Sequence, residues 1–447
     1  MGIKRREILF ALGGSALLSA CGGSEVSDPQ PVNAFTLENL VSDSASASAF
    51  KPSVKGVLKQ DEFFNAWGIA IRPAGAGGHF WVGAGAYSYQ FLGDVRSSGD
   101  AKLKPLSQDQ LKLVRVPGTG VPEGGGSPTD LSQFEGYTTG VVFNGAPLDS
   151  DLFRIKGQTV SRGGQSLTLE GSARFLFASD SGVISGWTER QAGSGAIVRE
   201  DGPAVTMIDG RDQGKQYFGL ALRSGTWDEL WAADFGADPQ IRAWNAQWQS
   251  IDLIARKAFL NPFIGTKPRA TPGDYVPFNI QVLNWQGKDH VFVAYAKSQP
   301  DPLQPGAFLA GEEDAIAKAQ EGDKPDRGRV AIFDLQGKLV KTLQDDGRLN
   351  APWGLAIAPA GFGPFAGHLL VGNFGGKGRI NVYDLSKDRW VDWLRDAAGQ
   401  AVQIEGLWGL QFGNGASLGD ATALYVAAGP ADETQGLFGV LRPHKSS

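Results

Sequence analysis

Apolar residues alternate with polar or small ones in runs of about five, and these runs come in sets. Residues 350–385 show one set in full: an apolar run at 353–357, a Pro/Gly-rich connection, and a second run at 368–372. The turn Gly375-Gly376-Lys377-Gly378 then leads into a third, alternating run at 379–384. Period-two alternation beside glycines that permit positive φ predicts a meander of antiparallel strands.

Degraded copies of this set recur. Each opens on an aromatic or small residue, then Gly or Asn, then an apolar strand: Trp67-Gly68, Thr139-Gly140, Phe218-Gly219, Phe278-Asn279, Trp353-Gly354 and Trp408-Gly409. A second apolar strand follows in each and ends near a small residue, namely Gly83, Ala178, Ala233, Ala294, Gly372 or Ala427. Third strands are predicted at 183–187, 241–244, 330–333, 380–383 and 437–441; fourth strands are fainter, clearest at 111–116 and 339–343. No single set can bury both of its faces. Six stacked around an axis complete one another's cores and remove long edges, so the expected fold is all-β: a six-bladed β-propeller of four-stranded antiparallel blades over residues 35–441. Residues 35–41 are expected to close it as the fourth strand beside 436–441, since no sequence remains after the last blade to do so. A pair of β-sandwiches is the rival that alternation alone does not exclude; the repeated Trp/Phe-Gly start favours the propeller. Residues 117–130 read as a flexible bridge. Residues 297–328 interrupt the fourth repeat between its second and third strands, with a short exposed helix expected at 312–321.

Composition agrees. The chain has 447 residues, 42% apolar and 20% charged, and its 62 glycines and 24 prolines have no collagen period, which suits many short strands and turns. A formal charge of -5 without a basic stripe argues against a nucleic-acid partner. Cys21 is the only cysteine, so the mature domain has no disulfide framework and no thiolate metal site.

Residues 1–20 combine Lys4-Arg5-Arg6, a short apolar stretch and the small residues Ser19 and Ala20 before Cys21. This is a signal peptide rather than a membrane span. It resembles a bacterial lipoprotein signal, which implies cleavage before Cys21 and lipidation there, with 21–34 as a tether and the protein held in the cell envelope. Arg5-Arg6 followed by Ile8 and Leu9 also resembles a twin-arginine signal, with Ile8 in place of the usual Phe, so the export route stays open.

Pro352-Trp353-Gly354-Leu355-Ala356, Leu370-Val371-Gly372-Asn373 and Gly378-Arg379-Ile380-Asn381-Val382-Tyr383 resemble the NHL type of propeller repeat. Residues 177–184 and Trp231-Ala232-Ala233-Asp234 match it less fully. Residues 35–441 resemble an uncharacterised bacterial family of exported propellers. That resemblance implies the fold and transfers no catalytic residue. The departures in the first, third and fourth repeats keep the peptide and RNA roles of other NHL domains from being carried over.

In a propeller, the connections entering the innermost strands and those between second and third strands open on one face. Asn65, Tyr137, Gln216, Tyr275, Asn350 and Glu405 are expected around the mouth of the axis, with Asp180, Asp234 and Asn373 farther out and the 297–328 insertion overhanging them. Convergent polar groups beside a cover form a candidate ligand site, and an oxygen-rich mouth would suit Ca²⁺. The structural alternative is that these Asp and Asn side chains cap turns. The four histidines have no metal spacing, and Trp67, Trp353 and Trp408 read as core rather than as a sugar platform. Two functions follow. One is an envelope binding module for a small-molecule or protein ligand, with no evident cofactor. The other is a calcium-dependent hydrolase or lactonase with Glu405, Asn65 and Asn350 as ligands, though no histidine is placed as its base. The groups expected around an exported quinone form no visible set. Replacing Cys21 by Ser is expected to move the protein from the membrane to the soluble fraction on fractionation; retention in the membrane would contradict the lipid anchor.

Overall fold

The computed structural model describes residues 32–42, 62–122, 127, 130–309 and 323–444. The signal, Cys21, the Gly124-Gly125-Gly126 run and the expected 312–321 helix lie outside the described residues.

Six blades, each with four antiparallel strands, follow one another along the chain; the sheet of blade I carries two further short strands, Leu106–Ser107 and Gly202–Pro203. Blade I consists of Ala66–Ala70, Phe80–Ala84, Tyr87–Gly93 and Leu113–Arg115. Blade II has Thr138–Phe143, Phe175–Ser179, Val183–Trp187 and Val205–Asp209, and blade III has Tyr217–Leu222, Glu229–Asp234, Gln240–Asn245 and Ser250–Ile251. Blade IV runs through Tyr275–Trp285, Lys288–Lys297, Gly328–Phe333 and Leu339–Thr342, and blade V through Pro352–Ile357, Leu369–Asn373, Ile380–Asp384 and Arg389–Trp393. Blade VI orders Leu407–Phe412, Leu424–Ala428 and Leu437–Pro443, and its outer strand is Phe35–Ser42 from the start of the domain. The innermost strands pack in a ring, each on the next and the last on the first. The fold is the expected six-bladed propeller.

The repeated dipeptide now has a physical meaning. In every blade the pairing of the innermost strand with the second slips by one residue at that dipeptide, a β-bulge. In blade I, for example, Ala66 faces Ala84 and Ile69 faces Val82, so Trp67 and Gly68 oppose Gly83 alone. The bulge turns the first residue of the pair toward the axis. Trp67, Phe218, Phe278, Trp353 and Trp408 thereby meet in one buried cluster. Trp67 stacks on Trp408 with ring centroids 3.4 Å apart, and Trp353 stands edge-on to both at 6.0 Å. Blade II has Thr139 here, whose hydroxyl donates to the Tyr217 carbonyl instead.

The second residue must be small because the neighbouring blade approaches it directly. A Cβ on Gly68, Gly354 or Gly409 would lie 2.4, 2.4 or 2.3 Å from the carbonyl oxygen of Thr139, Trp408 or Trp67 in the next blade. Gly409 against Trp67 is where the ring closes. Blade IV carries Asn279 instead, and its Nδ2 donates to the Trp353 carbonyl at 2.7 Å. A hydrogen bond there replaces the close contact of the glycine blades.

Phe35 faces Pro443 and Thr36 faces Arg442, so the last strand runs two residues beyond the expected end of the domain at Leu441. Arg442 ties this seam to Asp94 at 2.5 Å and Asp420 at 3.0 Å. Blades I and II are joined by buried Glu189, which meets Arg72 at 2.8 Å and Arg199 at 2.7 Å. Burial alone would raise its carboxyl, but the arginines hold it below the usual range. The 297–328 insertion does fall between the second and third strands of blade IV. Two features were not foreseen. A hairpin, Arg154–Arg162 and Gln165–Ser172, is inserted between the first two strands of blade II, and Gly202–Pro203 pairs in parallel with the outer strand of blade I.

Gly354→Ala is expected to destabilise the domain by about 1–3 kcal/mol, because the methyl group would be forced against the Trp408 carbonyl. Gly99→Ala, where nothing lies within 4 Å of the new carbon, should change stability by less than about 0.5 kcal/mol. Chemical denaturation of both variants checks this; equal effects would contradict the proposed close approach.

Candidate functional site

The residues entering the innermost strands are held by those leaving the second strands. Asp180 Oδ1 accepts from the Tyr137 N–H at 2.6 Å, Asp234 Oδ1 from the Gln216 N–H at 3.1 Å, and Asn373 Oδ1 from the Asn350 N–H at 3.1 Å. The same device thus pins the incoming chain in blades II, III and V. Asp234 is fully buried; its Oδ2 meets Arg242 Nε at 2.9 Å and Lys215 Nζ at 3.6 Å. Burial still raises its carboxyl, with Arg242 opposing. Asn373 also donates to the Arg348 carbonyl at 3.0 Å. Tyr275 lies within the blade IV strand, its hydroxyl donating to the Asp326 carbonyl at 2.9 Å.

Three of the expected residues share one cavity. Asn350, Asn373 and Glu405 line a space of about 550 Å³ on the mouth face over blades V and VI. Asp323 and Pro325, at the end of the blade IV insertion, border it as the expected overhang would. Asn65 is buried just beyond the lining: it accepts from Trp408 Nε1 at 2.9 Å and lies against Gly429, which does line the cavity. Asp180 and Asp234 belong to blades II and III and do not reach it. The expected axial gathering of oxygen ligands is replaced at that level by the aromatic cluster. Among the described residues no three His, Cys, Asp or Glu side chains come together as metal ligands.

The cavity also contains groups that the sequence did not single out. Arg348 precedes the innermost strand of blade V, while Lys377 and Arg379 lie on the turn into its third strand. The Arg348 guanidinium sits 3.7 Å from the Trp390 ring centroid, and that of Arg379 sits 4.6 Å from Trp393. Asp432 and Glu433 come from the corresponding turn of blade VI, where Ala431, Asp432 and Glu433 all have positive φ. Glu405 Oε1 accepts from the Ala431 N–H at 3.1 Å and so supports that turn. No local signal marks these residues as a set. Only the run Gly375-Gly376-Lys377-Gly378-Arg379 was visible, and it read as a turn.

No family model matches the sequence, so the NHL-like runs stand as local resemblances. Three mimivirus proteins (Acanthamoeba polyphaga mimivirus) are similar to it. Uncharacterized protein R648 is 25% identical over 88% of this chain and 78% of its own. L690 is 36% identical over 27% of the chain and R640 is 33% identical over 36%, and the chain spans only 30% and 27% of their respective lengths. Among solved structures, the Dos1 propeller is 9% identical, covers 88% of this chain and 70% of its own, and has a TM-score of 0.38. The Neurospora crassa Pan2 WD40 domain is 10% identical, with 94% and 99% coverage and a TM-score of 0.37.

Asp180 provides a test of the pinning device. Burial pushes its carboxyl from 3.8 up to about 7, against the pull of the Tyr137 N–H. A group whose pKa rises on folding costs nothing while protonated in both states, and its cost grows as pH climbs from the unfolded toward the folded value. Asp180→Asn keeps an acceptor for Tyr137 and removes the ionisation. Its Tm is expected to exceed that of the wild type near about pH 8, with the gain fading toward about pH 4. Thermal denaturation across that range checks it; a gain independent of pH would contradict the burial argument.

Proposed function

We infer that the chain is a binding module for a small polar ligand, held at the cell envelope by lipidated Cys21. The observation that carries this reading is the cavity itself. At about 550 Å³ it falls within the 300–1,000 Å³ typical of small-molecule sites, and its polar groups sit on turns fixed by a rigid propeller. The envelope location rests on the signal and the cysteine. The calcium-dependent hydrolase is the second reading, with Asn350 and Glu405 in the cavity and Asn65 behind it. The binding reading is preferred because the Asn65 oxygen already accepts from Trp408 Nε1 and Asn65 stands outside the cavity lining, so the three expected ligands do not converge there.

A thermal-shift screen of small polar metabolites and of Ca²⁺ tests it. A ligand at about a hundred times its Kd adds about 2.7 kcal/mol to stability and so raises Tm. That rise is expected to be lost in Arg379→Ala and Lys377→Ala. A ligand whose shift is unchanged in both variants binds elsewhere and would overturn this assignment.

A further inference from the structure

We propose that the cavity over blades V and VI takes a zwitterionic ligand, one bearing a carboxylate at one end and an ammonium group at the other, of the class of free amino acids and short peptides. This rests on the reading of that cavity as the ligand site. Three observations carry it.

The first is the separation of charge. The cations Arg348, Lys377 and Arg379 all come from blade V, and three of the four lining anions, Glu405, Asp432 and Glu433, come from blade VI; the fourth, Asp323, is taken up by Arg379. A ligand with a single anionic group would be drawn to one side and repelled by the other, and a purely cationic one likewise. A ligand with both charges is complementary to both sides at once.

The second is that the basic side is already organised. Stacking on Trp390 and Trp393 holds the guanidiniums of Arg348 and Arg379 in place. Arg348 is also held by Asp346 at 2.9 Å, and Arg379 by Asp323 at 2.6 Å. Lys377 is exposed and has no ion pair with any described carboxylate, so it is the cation with charge to spare.

The third is Asn350. It is 1% exposed and lines the cavity, yet among the described residues neither Oδ1 nor Nδ2 of its carboxamide has a partner. Its side chain lies against Gly375, where a Cβ would come within 2.1 Å of Nδ2. Leaving such a buried amide unpaired is unfavourable, and a ligand offering both an acceptor and a donor would relieve it. An amino acid or peptide end offers both.

Calorimetry on the full chain tests this with glycine, glycylglycine and triglycine, whose charge separation increases stepwise. The length that binds best distinguishes a free amino acid from a peptide. Acetylating the amine or amidating the carboxylate of that probe is expected to weaken binding by about tenfold or more. Lys377→Met should weaken only probes with a free carboxylate. Glu405→Gln, which keeps an oxygen for the Ala431 N–H, should weaken only those with a free amine. Unchanged affinity on capping, or no binding by any zwitterion, would overturn the proposal. Inorganic phosphate and glucose serve as the remaining arms. If either binds in their place and is lost in Arg379→Ala, the cavity stands as a ligand site and the zwitterion assignment alone falls.

Discussion

One extra residue in each innermost strand organises this molecule. An unbulged antiparallel pair alternates its side chains between two faces of the sheet, and neither face of a propeller blade points down the axis. The slip at each repeat start releases one residue from that alternation and turns it inward. Five of the six residues so released are aromatic, and they fill the mouth end of the axis with stacked and edge-on rings. Each aromatic pair of this kind contributes about 0.5–1.5 kcal/mol beyond the area it buries. The glycine that follows lets the next blade's carbonyl come close, so axial packing and blade spacing are set by the same dipeptide.

A filled axis changes where ligand chemistry can occur. The mouth of an open channel would gather groups from all six blades symmetrically. Here the rings close the axis at the mouth face, and the cavity of about 550 Å³ on that face lies off-axis, over two blades, with the end of the blade IV insertion at its border. The pinning residues Asp180, Asp234 and Asn373 hold equivalent backbone positions in three blades, but only Asn373 stands beside that space. Equivalent positions therefore differ in what they can do, because the loops around them differ in length and charge.

Much of the fold was legible in the sequence. Trp67-Gly68, Trp353-Gly354 and Trp408-Gly409 announce the repeat, since few arrangements need a large ring followed by no side chain at all. Closure by residues 35–41 followed from counting strands. The outer strands were hard to see because they are short and half-exposed: Ser250–Ile251 has two residues, and Arg389–Trp393 shows little apolar alternation. The inserted hairpin of blade II escaped notice because its alternating strands look like any others; only pairing partners distinguish a blade strand from an insertion. Of the site, Asn350 and Glu405 were legible as mouth residues and Asn373 as lying farther out on the same face, from their place in the repeat, whereas Arg348, Lys377, Asp432 and Glu433 were not.

The sequence by itself determined the number of blades, the direction of their strands and the residues that seal the ring, because those depend on local alternation and on steric limits that recur with the repeat. The tertiary structure alone decided that the aromatic residues meet on the axis. It also decided that cations of one blade and anions of the next border the same cavity. Those facts depend on a bulge and on the angle between blades, which bring together side chains far apart in the chain, and no periodicity along it records such distances.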